Sequence, residues 1–322
     1  ESLFLQAKAQ EATELSFIIN GETVSTTPND SIEYNFLLEV AGLNTIVAKA
    51  TDDSDNSVMD TIYCFALPEI PIAELPDGII EGINYSSDPT KVTLALYAPN
   101  KDNVFVIGEF NNWEPNLDYL MNITPDSTTW WIQINNLRPA QEYSFQYFVD
   151  GTIRIGDPYA DKYLDPWNDS YISNSVYPNL KDYPDGKTSE IVSVLQTAQA
   201  QFQWEAANYT KPKQENLVIY ELLVRDFVST HSYQTLIDTL DYLENLGVTA
   251  VELMPVNEFE GNSSWGYNPS FYFAPDKYYG TKNAFKSFID ECHKRNIAVI
   301  MDMVLNHSYG QSPLVRLYAS GP

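Results

Sequence analysis

Ile297-Ala298-Val299-Ile300-Met301-Asp302-Met303-Val304-Leu305-Asn306-His307 is an apolar run that carries one carboxylate and closes on an amide and an imidazole. Ile297 to Leu305 reads as a buried strand. Just upstream, Phe285, Phe288, Ile289 and Cys292 recur at helical spacing. Before them come a second apolar run, Val248 to Met254, a helical stripe of Leu236, Ile237, Leu240, Leu243 and Leu246, and a further run from Leu217 to Val224. Gly247 stands where a helix needs a left-handed C′ residue. The order is βαβαβ. Apolar runs without alternation predict strands covered on both faces, hence a parallel sheet with right-handed crossovers. Periodicity alone leaves a doubly wound sheet and a barrel equally open.

Ahead of this unit the pattern changes to short strands broken by turn residues. Leu15 to Ile19, Asn20-Gly21 and Glu22 to Val24 spell a hairpin, and runs at Ile32 to Leu38, Leu43 to Ala50 and Val58 to Phe65 complete an immunoglobulin-like sandwich over residues 1–70. Pro68, Pro71 and Pro76 mark a linker. A second all-β block, residues 77–180, has strands at Val92 to Tyr97, Val104 to Ile107, Trp130 to Ile134 and Tyr143 to Val149, with Asp150-Gly151 as another hairpin turn. Residues 181–214 are mixed and polar and read as a connector. Residues 215–322 hold the βαβαβ unit.

With 18 Lys plus Arg against 44 Asp plus Glu, the net charge is −26. Such a surface repels phosphate backbones and anionic membranes, which argues against nucleic-acid partners. An uncharged ligand meets no such repulsion. No apolar run of roughly 18 residues predicts a membrane span. Cys64 and Cys292, the only cysteines, fall in different blocks, and no disulfide or zinc site is expected. Glu1 begins without the basic and apolar regions of a signal peptide, any export signal is expected to have been removed, and oligomeric state is not legible.

Met301-Asp302-Met303-Val304-Leu305-Asn306-His307 resembles the first signature segment of the α-amylase superfamily, glycoside hydrolase family 13, at the end of its third barrel strand. Trp265-Gly266-Tyr267-Asn268-Pro269, Ala274-Pro275 and Tyr279-Gly280-Thr281 are similar to the family's loop after the second strand. Tyr220-Glu221-Leu222 with Arg225-Asp226-Phe227 looks like the first strand, and Leu246-Gly247-Val248 with Glu252 to Val256 like the second. In the block before, Gly108 to Trp113, Phe145 to Gly151, Asp157 to Ala160 and Leu164 to Asn168 resemble the family 48 carbohydrate-binding modules that commonly precede these barrels. The resemblance implies a bacterial enzyme with two N-terminal β-sandwiches followed by the first part of a (β/α)8 barrel.

In such barrels the site lies at the carboxyl ends of the strands. The resemblance implies that His307 hydrogen-bonds the sugar at the cleavage point and that Tyr267 stacks under it, with Trp265 and Asn268 lining the cleft. Asp302 matches a carboxylate that braces the centre, and Asn306 an amide that ligates a structural calcium in many members. Trp113 matches an aromatic that contacts glucan in the modules that bind it. Those modules usually add a second Trp after the Asp-Gly turn. Here that stretch reads Thr152-Ile153-Arg154, which favours a structural module.

A retaining glycosidase needs two carboxyl groups about 5–5.5 Å apart. In this family they arrive on the fourth and fifth strands, and only three strands are found here. The expectation is therefore a fragment of a secreted or cell-envelope enzyme that hydrolyses α-1,4-glucans with retention, the 322-residue chain being inactive by itself. Two alternatives stand beside it: a non-catalytic glucan-binding protein, and a branching or debranching transglycosylase of the same superfamily.

Overall fold

The computed structural model describes residues 2–318. They form two compact units, one ending at Pro71 and including Asn116–Asp118, the other comprising Ile72–Pro115 and the chain from Tyr119 onward.

The first unit is all β, with strands β1 (Ser2–Lys8), β2 (Glu14–Ile19), β3 (Glu22–Thr27), β4 (Ser31–Leu37), β5 (Gly42–Thr51) and β6 (Ser57–Ala66). A pair, β1-β4, and a sheet in the order β3-β2-β5-β6 share one core. Alternation explains it: Leu15, Phe17 and Ile19 point inward from β2 and meet Leu5, Ile32 and Ile46. Asn20 and Gly21 have φ of 51° and 87°, the left-handed pair that lets a two-residue turn follow the strand twist.

The second unit begins with β7 (Gly82–Tyr85), β8 (Val92–Tyr97), β9 (Val104–Gly108), β10 (Asn122–Ile123), β11 (Thr129–Ile134), β12 (Glu142–Val149), β13 (Ile153–Ile155), β14 (Tyr163–Leu164) and β15 (Val192–Gln196). One sheet runs β10-β11-β8-β7, and the other centres on β12, which pairs with β9, β13 and β15. Strand β15 differs from the sequence reading, which took residues 181–214 as connector. Ile191-Val192-Ser193-Val194-Leu195 is a short run between polar flanks, and it pairs with β12 from Glu142 to Phe145. Its Val192 and Val194 enclose Trp113 together with Ile107 and Leu164.

The rest of this unit holds β16 (Ile219–Leu222), α1 (Val224–Phe227), α2 (Tyr233–Ile237), α3 (Leu240–Asn245), β17 (Ala250–Leu253), β18 (Asn257–Phe259), β19 (Pro269–Pro275), α4 (Lys282–Lys294), β20 (Ala298–Met301) and α5 (Pro313–Arg316). Strands β16, β17 and β20 lie side by side and parallel, in chain order. Leu222, Val251 and Leu253 pack with Leu236, Leu240, Leu243, Phe285, Phe288 and Cys292, so the predicted helical stripes cover this sheet. The single helix expected over Leu236 to Leu246 is split, because Thr239 Oγ1 turns back to donate to the Leu236 carbonyl (2.7 Å). Gly247, φ 82°, ends the second half. Helix α4 starts on Thr281, whose Oγ1 accepts from the Ala284 N–H (3.1 Å). Strand β20 is shorter than the apolar run suggested. Its pairing stops where the Asp302 N–H donates to the Leu253 carbonyl (3.0 Å), and Asp302 to His307 form the following loop.

Candidate functional site

Tyr267 is delivered by the loop joining β18 to β19, two antiparallel strands inserted after β17. The turn before it depends on Gly266. Its φ of 88° is left-handed, and a Cβ there would collide with the Pro255 carbonyl. Asn268 closes the same loop: its Nδ2 donates to the Glu260 carbonyl (2.9 Å), and its Oδ1 accepts from the Ser264 hydroxyl. Both amide atoms of Asn268 thus have partners within the loop. Trp265 stands 60% exposed beside it.

The loop after β20 meets this one. Tyr267 OH donates to Asp302 Oδ2 (2.7 Å), and His307 Nε2 lies 2.9 Å from the Tyr267 carbonyl oxygen. A carbonyl only accepts, so Nε2 carries the proton. The other ring nitrogen, Nδ1, lies 3.0 Å from Asn306 Oδ1. Tyr272, on β19, fastens the loop further by donating to the His307 carbonyl (2.6 Å) and contacting Ser308 Oγ (2.7 Å). Tyr267, Asp302 and His307 therefore converge at the carboxyl ends of β17 and β20. Both ring nitrogens of His307 are engaged within the rim.

Tyr267 is 40% exposed, with its ring open to solvent. The hydrogen bond to Asp302, then partial burial, then the charges of Asp302, Glu221 and Glu252 push its phenol up to about 12. Glu221 and Glu252 sit opposite one another on β16 and β17. Sequence reading passed over them as strand residues, although each breaks an apolar run as Asp302 does. It also missed a buried ionic group below the loop. Lys277, 3% exposed, bonds Glu258 and lies 3.3 Å from Asp169 of the preceding β block. Asp276 beside it accepts from the Tyr278 and Phe259 N–H groups (2.8 and 3.2 Å). Burial drives Glu258 up to about 8 and Asp276 to about 7, against the pull of Lys277.

One expectation is corrected. Trp113, a candidate glucan contact, is 6% exposed within the core of the β block. Trp130 is also buried, and Trp131 is tied by its indole N–H to the Ala73 carbonyl (3.0 Å). Calcium seeks six to eight oxygen ligands. Asn306 offers one and is engaged with His307, and no cluster of three or more His, Cys, Asp or Glu among the described residues could hold a metal. Asn306 alone does not make a calcium cage.

Comparison with known proteins agrees with this geometry. Residues 82–167 match the family described as carbohydrate-binding module 48 (isoamylase N-terminal domain), and residues 225–314 match the family described as alpha amylase, catalytic domain. The chain is 32% identical over 224 residues to malto-oligosyltrehalose trehalohydrolase of Saccharolobus solfataricus, covering 69% of this chain and 34% of that one. It is 32% identical over 225 residues to 1,4-alpha-glucan branching enzyme GlgB of Oceanobacillus iheyensis, covering 66% and 32%. The crystal structure of GBS pullulanase SAP in complex with maltotetraose shares the fold over 95% of this chain and 44% of its own, at TM-score 0.54 and 20% identity. The chain spans about a third of the length of the curated relatives it matches.

Proposed function

This chain belongs to the α-amylase superfamily, with a family 48 module ahead of catalytic-domain sequence, and from that premise we propose that it is the sugar-holding N-terminal portion of a retaining α-1,4-glucan hydrolase. The observation that carries the reading is the convergence of Tyr267, Asp302 and His307 on one exposed rim at the ends of adjacent parallel strands. Tyr267 and Trp265 offer ring faces to the apolar face of a glucose residue. Asp302 braces the phenol, His307 fixes the loop that carries it, and the catalytic carboxylates lie outside this chain. In this reading residues 1–70 are an immunoglobulin-like sandwich, 77–180 the module, extended through β15, and 215–322 the first part of a (β/α)8 barrel. Trp113 is a structural residue.

The test is a titration of the 322-residue chain with maltotetraose, alongside a reducing-sugar assay on starch. Saturable binding, weakened at least tenfold in Tyr267→Ala, with no sugar released, is the expected result. Release of sugar by the purified chain refutes the placement of the carboxylates outside it. Undiminished binding in the variant refutes the rim.

The identity to a branching enzyme favours a second reading, a transglycosylase. Incubating the parent protein with amylose separates the two, since a transferase makes α-1,6 branches without new reducing ends. A secreted or envelope location completes the proposal and is checked by fractionating the producing cells. Among the described residues no helix is long and apolar enough to cross a membrane.

A further inference from the structure

The two edges of the four-stranded sheet in the first unit are unlike. At one, β3 has six residues and a register shift against β2 between Phe17 and Ile18, the kind of bulge that keeps an edge from pairing. At the other, β6 has ten residues in unbroken register with β5, holds no proline or lysine and carries a single charge, Asp60. Proteins ordinarily blunt so long and flat an edge. From Ser57 to Tyr63 every residue of β6 is exposed, Met59 at 62% and Tyr63 at 67%. Beside it a groove of about 530 Å³ runs between β6 and β1, with Val58 and Ile62 at its lip and the core residues Leu15, Phe17 and Ile46 in its floor.

The backbone shows which atoms this edge offers. The Thr45 N–H donates to Asn20 Oδ1 and the Thr45 carbonyl accepts from the Asn20 N–H, both at 2.9 Å, so Thr45 is turned toward the β2 side of β5. Alternate residues of an antiparallel ladder turn to alternate neighbours. Ile46, Ala48 and Ala50 therefore direct their peptide groups at Ile62, Asp60 and Val58. The peptide groups of Met59, Thr61 and Tyr63 point away from the sheet and have no partner among the described residues.

An added strand must match these outward residues with outward residues of its own. When that strand is β6 of a second copy, antiparallel about a twofold axis, a register centred on Asp60 sets the carboxylate against itself. The register centred on Thr61 removes the clash of charge. It places Thr61 opposite Thr61, Met59 opposite Tyr63 twice, and Asp60 opposite Ile62, all within the exposed stretch. Threonine pairs and sulfur–aromatic contacts are favourable cross-strand neighbours. A register centred on Ile62 shifts the pairing onto Cys64 to Ala66, which are already partly or fully covered. We infer that β6 is a self-complementary interface joining two copies of this chain, with the sheet β3-β2-β5-β6 continued by the same sheet of the second copy. A strand edge buries less than the roughly 800 Å² per partner of a standard interface, so the dimer is a weak one. The net charge of −26 on each copy opposes it, and salt, by screening that repulsion, strengthens it.

The test is sedimentation equilibrium of the 322-residue chain from micromolar to millimolar concentration, at low and high salt. A monomer–dimer equilibrium tightened by salt is expected. Thr61→Lys reduces the overall negative charge yet sets two ammonium groups opposite one another on the axis, and it should weaken association at least tenfold. Thr61→Val should not. Register is read by mild oxidation in a Cys64→Ser background: Thr61→Cys should cross-link two copies, because directly opposed strand residues lie within disulfide reach, and Met59→Cys, opposite Tyr63, should not. A chain that stays monomeric at millimolar concentration in high salt overturns the inference. Dimerisation that Thr61→Lys leaves unchanged overturns it too, as does cross-linking through Met59→Cys as readily as through Thr61→Cys. A monomer whose β6 is instead protected from hydrogen exchange by an unrelated extended peptide assigns the edge to a different protein and overturns it equally.

Discussion

Trp113 and Tyr267 are both aromatic residues in motifs that resemble sugar-contacting segments, yet one is 6% exposed and the other 40%. The difference lies in what covers each ring. Asn112 and Trp113 both have positive φ, 55° and 67°, a turn that swings the indole back onto β9, and β15 then closes over it from a distant part of the sequence. Tyr267 follows a glycine turn held against Pro255, which pushes its ring outward, and only its hydroxyl is bound. A motif therefore specifies the residue and the turn. Whether the ring binds a ligand or fills a core is decided by remote chain.

The largest expected effect tests the buried member. Trp113→Ala should cost about 3–5 kcal/mol of stability, read from urea unfolding, with maltotetraose affinity per folded molecule unchanged. The comparison breaks if glucan binding falls while the unfolding midpoint stays put. Measured above pH 8, where Glu258 and Asp276 are ionised, Lys277→Met should be nearly as costly, about 3–5 kcal/mol, because it strands Glu258, Asp276 and Asp169 around a buried space with no cation. Restoration by Glu258→Gln in the same chain would sharpen the point, since it removes one of the stranded charges.

Much of this architecture was legible from residues alone. Asn20-Gly21 and Asp150-Gly151 were read as hairpins because two-residue turns need left-handed backbone, and both adopt it. The parallel strands and the stripe of Phe285, Phe288 and Cys292 followed from apolar spacing. At the site, the meeting of Tyr267 with His307 was readable because both flank adjacent strand ends. What escaped was set by partners far apart in sequence. The pairing of β15 with β12 joins residues about fifty apart across polar chain, and Lys277 with Asp169 is 108 positions removed. The hydrogen bonds that occupy His307 and Asn268 depend on atomic geometry that no residue spacing encodes.

A smaller effect distinguishes the buried carboxylates from the exposed one. Glu258, raised to about 8, holds a proton in the folded state that the unfolded chain releases near its ordinary value of 4.5. The folded state then binds more protons between those values, so stability is full at the acid end and falls as pH rises through the window. Between pH 5 and 8 the wild type should lose about 3–4 kcal/mol relative to Glu258→Gln. Taking the difference between the two proteins cancels His293, whose pKa burial lowers and which tilts the profile the other way. Asp302→Asn should leave the difference intact, and a flat difference would mean that Glu258 is ionised throughout.

The smallest effect divides Tyr267 itself. Tyr267→Phe keeps the ring and deletes the hydrogen bond to Asp302, which lies at an exposed rim and is worth about 0.5–1 kcal/mol. If the ring face contacts the sugar and the hydroxyl only positions it, maltotetraose affinity should fall two- to fivefold, well short of the loss in Tyr267→Ala. A spectroscopic titration supplies a reading independent of binding: in the wild type the phenol should ionise near 12, and Asp302→Asn should return it toward the ordinary tyrosine value. Equal losses in the Phe and Ala variants would instead mean that the hydroxyl, held by Asp302, is what the sugar needs, and the rim would then act by hydrogen bonding rather than by stacking.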